Sequence, residues 1–325
     1  MKFGLLGKSL KHSYSSDIHK MLSDNSYEMF ERDNLELERF FKDREFKGIN
    51  VTLPYKEEVI KYLDDIDDEA KAIGAINAIV NNNGKLKGYN TDAFGFEKML
   101  WFHKIDVKNK KVLILGSGGT SKTVKHVLLK LGAKEIYIVS RTPNKGQISY
   151  ANAIEKFETQ IIVNTTPYGM YPDYKEESLI DVNKFPYLEA VVDVIYRPYR
   201  TNLLIDAKLK GCKTASGLYM LVAQAIKASE YLPAPTRKRY DIKETGFDLS
   251  PFEKEYEAAQ GDVDKTKVLV KVLNYLNDNN INKLKTTNDS VLYQDILRHE
   301  DTDLPRDLKL DAYKNFISSH IQNTV

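Results

Sequence analysis

Apolar residues in the first hundred positions fall into short blocks separated by polar turns. KFGLLG, YEMFER and GINVTL read as strands, and SDIHKMLSDN and LELERFFKDREF between them carry the apolar spacing of amphipathic helices. Strand and helix in alternation predict a mostly parallel sheet with helical crossovers. From Lys111 the pattern restarts as KVLILGSGGTSKTVKHVLLKLGAKEIYIVSRT, a buried strand, a glycine turn, a helix of about three turns and a second strand, which together make a βαβ unit. Further strands are expected at QIIVNTT, EAVVDVIY and CKTAS, with room between Lys145 and Gln160 for only a brief helix.

A helix beginning near Gly217, LYMLVAQAIKASEYL, has an apolar stripe wide enough to pack between two layers. The expected organisation is therefore a substrate-binding domain over 1–100, completed by the returning helix 217–232, and a Rossmann-like domain over 101–216 that binds a dinucleotide. Residues 233–325 then form a linker, PAPTRKRYDIKE, and a polar helical extension with a capping-box start at Ser250 and Glu253.

Charge narrows the partner. With 48 basic and 46 acidic residues spread along the chain, no electrostatic footprint for nucleic acid or an anionic membrane surface is present, and a small-molecule partner is expected. No apolar run reaches membrane-spanning length. One cysteine, Cys212, excludes an internal disulfide and a thiolate zinc cluster, and with a start that lacks a signal-peptide core it points to the cytoplasm.

The glycine turn places Gly116, Ser117, Gly118, Gly119, Thr120 and Ser121 between a strand and a helix, where backbone N–H groups can approach a pyrophosphate at the positive helix end. A tight turn without ligand is the plain alternative, since Ser121 stands where the fingerprint has Gly or Ala. The second strand ends in Ser140, Arg141 and Thr142, with Lys145 close behind, and no acid sits where a ribose 2′-hydroxyl would be held. That favours NADP over NAD.

Ser13 and Ser15 lie two apart, so an extended backbone would aim both hydroxyls to one side, where they could bind a carboxylate. NVTLPYK, with Thr52 and Lys56, follows a strand; GAIN carries Asn77, and GYNTDAFGF carries Asn90, Thr91 and Asp92. Loops at the carboxyl edge of such a sheet build binding clefts. Lys56 and Asp92 are candidates for the acid/base pair that ketone reduction requires, although the pattern serves a structural salt bridge equally well.

Taken in order, GLLGKSLKHSYS, FKGINVTLPYK, GAIN, GYNTDAFGF, GSGGTSKT with SRT, VNTTPYGM and DVIYRPYRTNLL with GLYMLVAQA resemble the shikimate dehydrogenase family over about residues 1–235. The resemblance implies reversible reduction of 3-dehydroshikimate to shikimate with NADPH; separately, a monomer or homodimer is expected. It assigns the substrate carboxylate to Ser13, Ser15 and Tyr196, the ring hydroxyls to Thr52, Asn77 and Gln224, and catalysis to Lys56 and Asp92. On the cofactor side it implies that 116–121 wrap the pyrophosphate, that Ser140, Arg141, Thr142 and Lys145 meet the adenosine phosphate, and that Thr165, Met170, Gly217 and Met220 lie along the nicotinamide. Ser9, Ser16, Ala78 and Ser140 stand where the family usually has Pro, Pro, Thr and Asn. Two rivals remain: a quinate/shikimate dehydrogenase that also uses NAD, and an inactive metabolite-binding sensor or scaffold.

Overall fold

The computed structural model describes residues 2–10, 13–22, 26–171, 177–198 and 200–231. The expected linker, capping box and helices beyond Leu232 lie outside the described residues.

β1 (Lys2–Gly7), α1 (Ser15–Leu22), β2 (Tyr27–Glu31), α2 (Asn34–Asp43) and β3 (Phe46–Val51) alternate as the pattern predicts. The start of α2 shows why it forms there. Asp33 accepts the amides of Leu35 and Glu36, and the Glu36 carboxylate accepts the amide of Asp33, a reciprocal cap. Leu37 and Phe41, one turn apart, are the buried face.

After a short 3-10 helix (Glu58–Tyr62) come β4 (Asp65–Ile66), α3 (Asp68–Ile73), β5 (Ala78–Asn82), β6 (Lys85–Tyr89) and α4 (Asp92–Phe102). The first sheet runs β2-β1-β3-β5-β6-β4. It is mostly parallel, and β5 alone runs against its neighbours β3 and β6. This reversal matters for the site, because the start of β5 lies at the same sheet edge as the ends of β3 and β6. Asn77, just before β5, is thereby placed beside the segments that follow the other two strands.

The second half contains β7 (Lys111–Leu115), α5 (Gly119–Lys130), β8 (Glu135–Val139), β9 (Gln147–Ile148), α6 (Tyr150–Ala153) and β10 (Ile161–Asn164). It continues with β11 (Ala190–Asp193), α7 (Asn202–Leu209), β12 (Lys213–Ser216) and α8 (Leu218–Tyr231). Its six strands, ordered β12-β11-β10-β7-β8-β9, are all parallel. The crossover after Lys145 holds the expected brief helix, α6, and also an edge strand of two residues, β9, which no periodicity could announce.

β7 is covered on both faces. Val112 and Ile114 pack with Val124 and Val127 of α5 and with Phe96, Met99 and Tyr219, whereas Leu113 and Leu115 face Phe185, Leu203 and Leu204. A run without polar alternation is what such a doubly covered strand requires. α8 joins the two halves: Tyr219, Met220 and Ala223 belong to the core under the second sheet, and Leu218, Val222 and Ile226 pack on Ile18 of α1. Where α8 meets α4, a Cβ on Gly95 would stand 2.6 Å from the Met220 carbonyl oxygen.

Candidate functional site

The carboxyl edges of both sheets face a cavity of about 350 Å³. Its lining brings together all eight residues predicted for substrate and catalysis: Ser13, Ser15, Thr52, Lys56, Asn77, Asp92, Tyr196 and Gln224. Thr120, Thr165, Met170, Gly217 and Met220, predicted for the cofactor, line it too.

Lys56 and Asp92 form an ion pair, with the ammonium donating to Asp92 Oδ2 at 2.7 Å. Their side chains are 13% and 8% exposed, so water screens the pair little while a ligand can still reach it. Backbone geometry fixes both partners. The Lys56 carbonyl accepts the Ile76 amide, tying the turn after β3 to the approach to β5. Asp92 opens α4, where a carboxylate is favoured by the helix dipole. Asn90 completes this corner by accepting the Ala93 amide and donating to the Ala75 carbonyl and Thr123.

Asn77, Thr91 and Gln224 make a buried polar cluster. Asn77 Oδ1 accepts the Thr91 amide at 2.6 Å, Asn77 Nδ2 donates to Thr91 Oγ1 at 2.9 Å, and Gln224 Oε1 is 3.3 Å from both groups. Behind it, Tyr27 donates to Asn50 Oδ1 at 2.8 Å, and Asn50 Nδ2 reaches the Asn77 carbonyl. His19 stacks on Tyr27 at 4.3 Å, and burial pushes its pKa down to about 4 against a hydrogen bond with Asn50. The imidazole there is neutral at physiological pH.

At the opposite end, Ser13 Oγ and Ser15 Oγ are 3.1 Å apart, and the Ser15 amide donates to Ser13 Oγ. The two hydroxyls converge as expected, but through a turn that opens α1 rather than through extended backbone, because Ser15 is already helical. Tyr196 hydrogen-bonds with Ser13; burial raises its pKa, and that bond and the Arg197 charge oppose the rise. Its hydroxyl therefore stays protonated at neutral pH, beside the serines, as a hydrogen-bond donor.

The glycine turn lies on the other wall. Gly116 has φ 107°, and Gly118 is the extended residue before α5, with nothing within 4 Å of a Cβ placed there. The first turn of α5 carries no acid. A Cβ on Gly119 would come within 3.2 Å of Lys56 Cβ, so the turn and the lysine segment pack closely enough that a side chain there would push them slightly apart. Across this seam Lys56 Nζ is 3.3 Å from Thr120 Oγ1, and Lys122 pairs with Glu57.

The remaining predicted cofactor residues stand outside the cavity lining. Ser121 is buried and its hydroxyl donates to the Gly118 carbonyl, closing the turn. Ser117 and Ser140 hydroxyls are 3.2 Å apart, and Ser140 accepts the Thr142 amide. Arg141, Thr142 and Lys145 are exposed beyond the end of β8. Gly217, within the lining, sits where a Cβ would lie 1.9 Å from the Val194 carbonyl oxygen. Asn50, at the head of NVTLPYK, lines the cavity too, and so do Thr166, Tyr171 and Arg197, which were not singled out from sequence. Arg197 lies 4.0 Å over the Tyr171 ring, a contact between two loops that no local spacing reveals.

Comparison with known proteins gives the family. The family described as shikimate dehydrogenase substrate binding domain matches residues 5–79. A relative from Clostridium beijerinckii, named shikimate dehydrogenase (NADP(+)), is 39% identical over 246 residues, which cover 70% of this chain and 90% of the relative. The chain belongs to the shikimate dehydrogenase family. Two solved shikimate dehydrogenases agree. That from Peptoclostridium difficile is 36% identical with a TM-score of 0.67, covering 75% of this chain and 96% of its own. The Thermus thermophilus enzyme, in complex with NADP(H) and shikimate, is 32% identical with a TM-score of 0.64, covering 73% and 95%.

Proposed function

We propose that this chain reduces 3-dehydroshikimate to shikimate, reversibly, with NADPH as donor, and that Lys56 and Asp92 handle the proton. The observation that carries the reading is the Lys56–Asp92 pair at 2.7 Å, set in the cavity that also receives the two serines, Tyr196, Asn77 and Gln224. NADPH, when bound, supplies the hydride.

The residues present fit that cofactor. Open space at Gly118 and an α5 N-terminus without acids suit a pyrophosphate. Arg141 and Lys145, with no acid at the end of β8, suit a 2′-phosphate. Ser13, Ser15 and Tyr196 hold the substrate carboxylate, and Thr52, Asn77 and Gln224 hold ring hydroxyls. The Lys56 ammonium donates a proton to the oxygen of the reacting carbonyl, and in the reverse direction it takes one back; Asp92 keeps it aimed. Thr165, Met170, Gly217 and Met220 form the wall along the nicotinamide.

The substrate domain is assigned to 1–100 with the returning helix 217–232, and the cofactor domain to 101–216. A cytoplasmic enzyme, monomeric or homodimeric and without nucleic-acid or membrane partner, accords with this reading; among the described residues no helix is long and apolar enough to cross a membrane. The test is absorbance at the reduced-nicotinamide band with shikimate and either NADP or NAD. Rapid NADPH formation, with NAD slower, is expected. A preference for NAD, or turnover of quinate above shikimate, would replace this reading with the quinate/shikimate one.

A further inference from the structure

Asp193, the last residue of β11, is fully buried, and the reaction described above gives it no part. Three donors converge on it. Oδ1 accepts the Ile195 amide at 3.0 Å and Asn164 Nδ2 at 3.1 Å, and Oδ2 accepts the Thr201 hydroxyl at 2.7 Å. These donors come from three segments: the end of β10, the loop leaving β11, and the residue that precedes α7.

The segments after β10 and β11 continue to the cavity. Asn164 uses its other amide atom, Oδ1, to accept the Thr166 amide at 3.0 Å and the Thr166 hydroxyl at 2.7 Å, and Thr166 Oγ1 accepts the Tyr168 amide. The loop so ordered presents Thr165, Thr166 and Met170 to the cavity. Ile195 is followed directly by Tyr196, and the Ile195 carbonyl accepts the Gly217 amide at the start of α8. Tyr171 N donates to the Arg197 carbonyl, joining the two loops again at the rim.

A carboxylate is suited to this place, because its two oxygens accept from all three groups, whereas a side-chain amide would have to reverse the bond with the Thr201 hydroxyl, donating to it instead of accepting. A buried charge is costly unless such donors surround it. Burial raises Asp193 to about 6 even so, with the three hydrogen bonds opposing the rise.

We infer that Asp193 is a positioning residue for the reaction: it holds the loops after β10 and β11 in register, so that Tyr196 meets the substrate carboxylate while Thr165 and Met170 wall the reacting end of the cofactor. This rests on the function proposed above, and its test reads the loops separately from the chemistry. Asp193→Asn preserves shape, and Thr201→Val removes one donor while Thr201→Ser keeps it. In Asp193→Asn, hydrogen–deuterium exchange is expected to rise selectively over 165–171 and 194–198, with the strand interiors of the second sheet unchanged. kcat/KM for shikimate is expected to fall about tenfold or more, as misplacement of a catalytic wall does. Affinity for 2′,5′-ADP, which probes only the adenosine end, stays within about twofold, since 1.4 kcal/mol would be needed for a tenfold change. Thr201→Val follows in the same direction, and Thr201→Ser restores the parent values. Unchanged exchange in both loops would overturn the role of Asp193 whatever the substrate is. Uniformly raised exchange, with 2′,5′-ADP binding weakened as much as turnover, would also overturn it, by showing a general support of the fold. Wild-type protein inert toward shikimate would refute the function while leaving the exchange result to decide the positioning.

Discussion

At the scale of single residues, the account turns on charges held where water is scarce. Asp92→Asn leaves the shape of the pair and removes the anion, so Lys56 loses its aim; kcat is expected to drop by about a hundredfold, within the span general acid–base groups supply, with folding unaffected. Arg141→Gln removes the cation proposed for the 2′-phosphate. KM for NADP is expected to rise about tenfold, the loss of one charge-assisted hydrogen bond, while KM for NAD stays level. Two buried groups give opposite pH dependences. His19, lowered to about 4, contributes stability that is present above the unfolded value of 6.5 and lost as pH falls toward 4. Asp193, raised from 3.8 to about 6, contributes stability that is present below 3.8 and lost as pH rises through 6. Each amounts to about 3 kcal/mol at 1.36 kcal/mol per unit, so they largely offset each other between pH 4 and 6.5. Asp193→Asn removes one side of that balance, and denaturant midpoints should then fall more steeply on acidification than in the wild type; a parallel pH profile would contradict the assignment.

Among the elements, what could be read from sequence divides by length and by whether a partner is local. β7, α5 and β8 were legible because an unbroken apolar run, a glycine turn and a helical stripe each span enough residues to show a period. β4 and β9, two residues each, exist only because a neighbouring strand offers an edge, and no local pattern encodes that. The same divide runs through the site. Ser13, Ser15, Asn50, Lys56 and Asp92 sit in motifs that announce themselves, whereas Thr166 and Arg197 join the cavity through loops distant in sequence. Asp193 lay in view within EAVVDVIY, but its partner Asn164 is 29 positions away, and an acid at a strand end has no reading until that partner is known. The joint of β12 and α8 is equally non-local: Gly217→Ala drives a methyl into the Val194 carbonyl, and a loss of about 1–3 kcal/mol on chemical denaturation is expected, as for other overpacked sites.

For the molecule as a whole, the reaction requires groups from both sheets at one place, and the seam between them is ionic as well as steric. Glu57 pairs with Lys122, and Lys130 with Glu69 and Glu97, around the close contact of Gly119 with Lys56. Glu57→Lys should set two like charges across the seam and lower kcat/KM by about two- to fivefold, the modest effect expected of an exposed pair, and Glu57→Lys with Lys122→Glu should recover most of it. The central claim is narrower: a lysine brought by the first sheet moves the proton at a carbonyl held before the cofactor bound by the second. Lys56→Ala tests it most directly, with turnover and equilibrium shikimate binding measured on the same preparation. The account predicts that turnover falls by about a hundredfold or more while shikimate still binds within about threefold of the wild type. Turnover left intact in Lys56→Ala would contradict it.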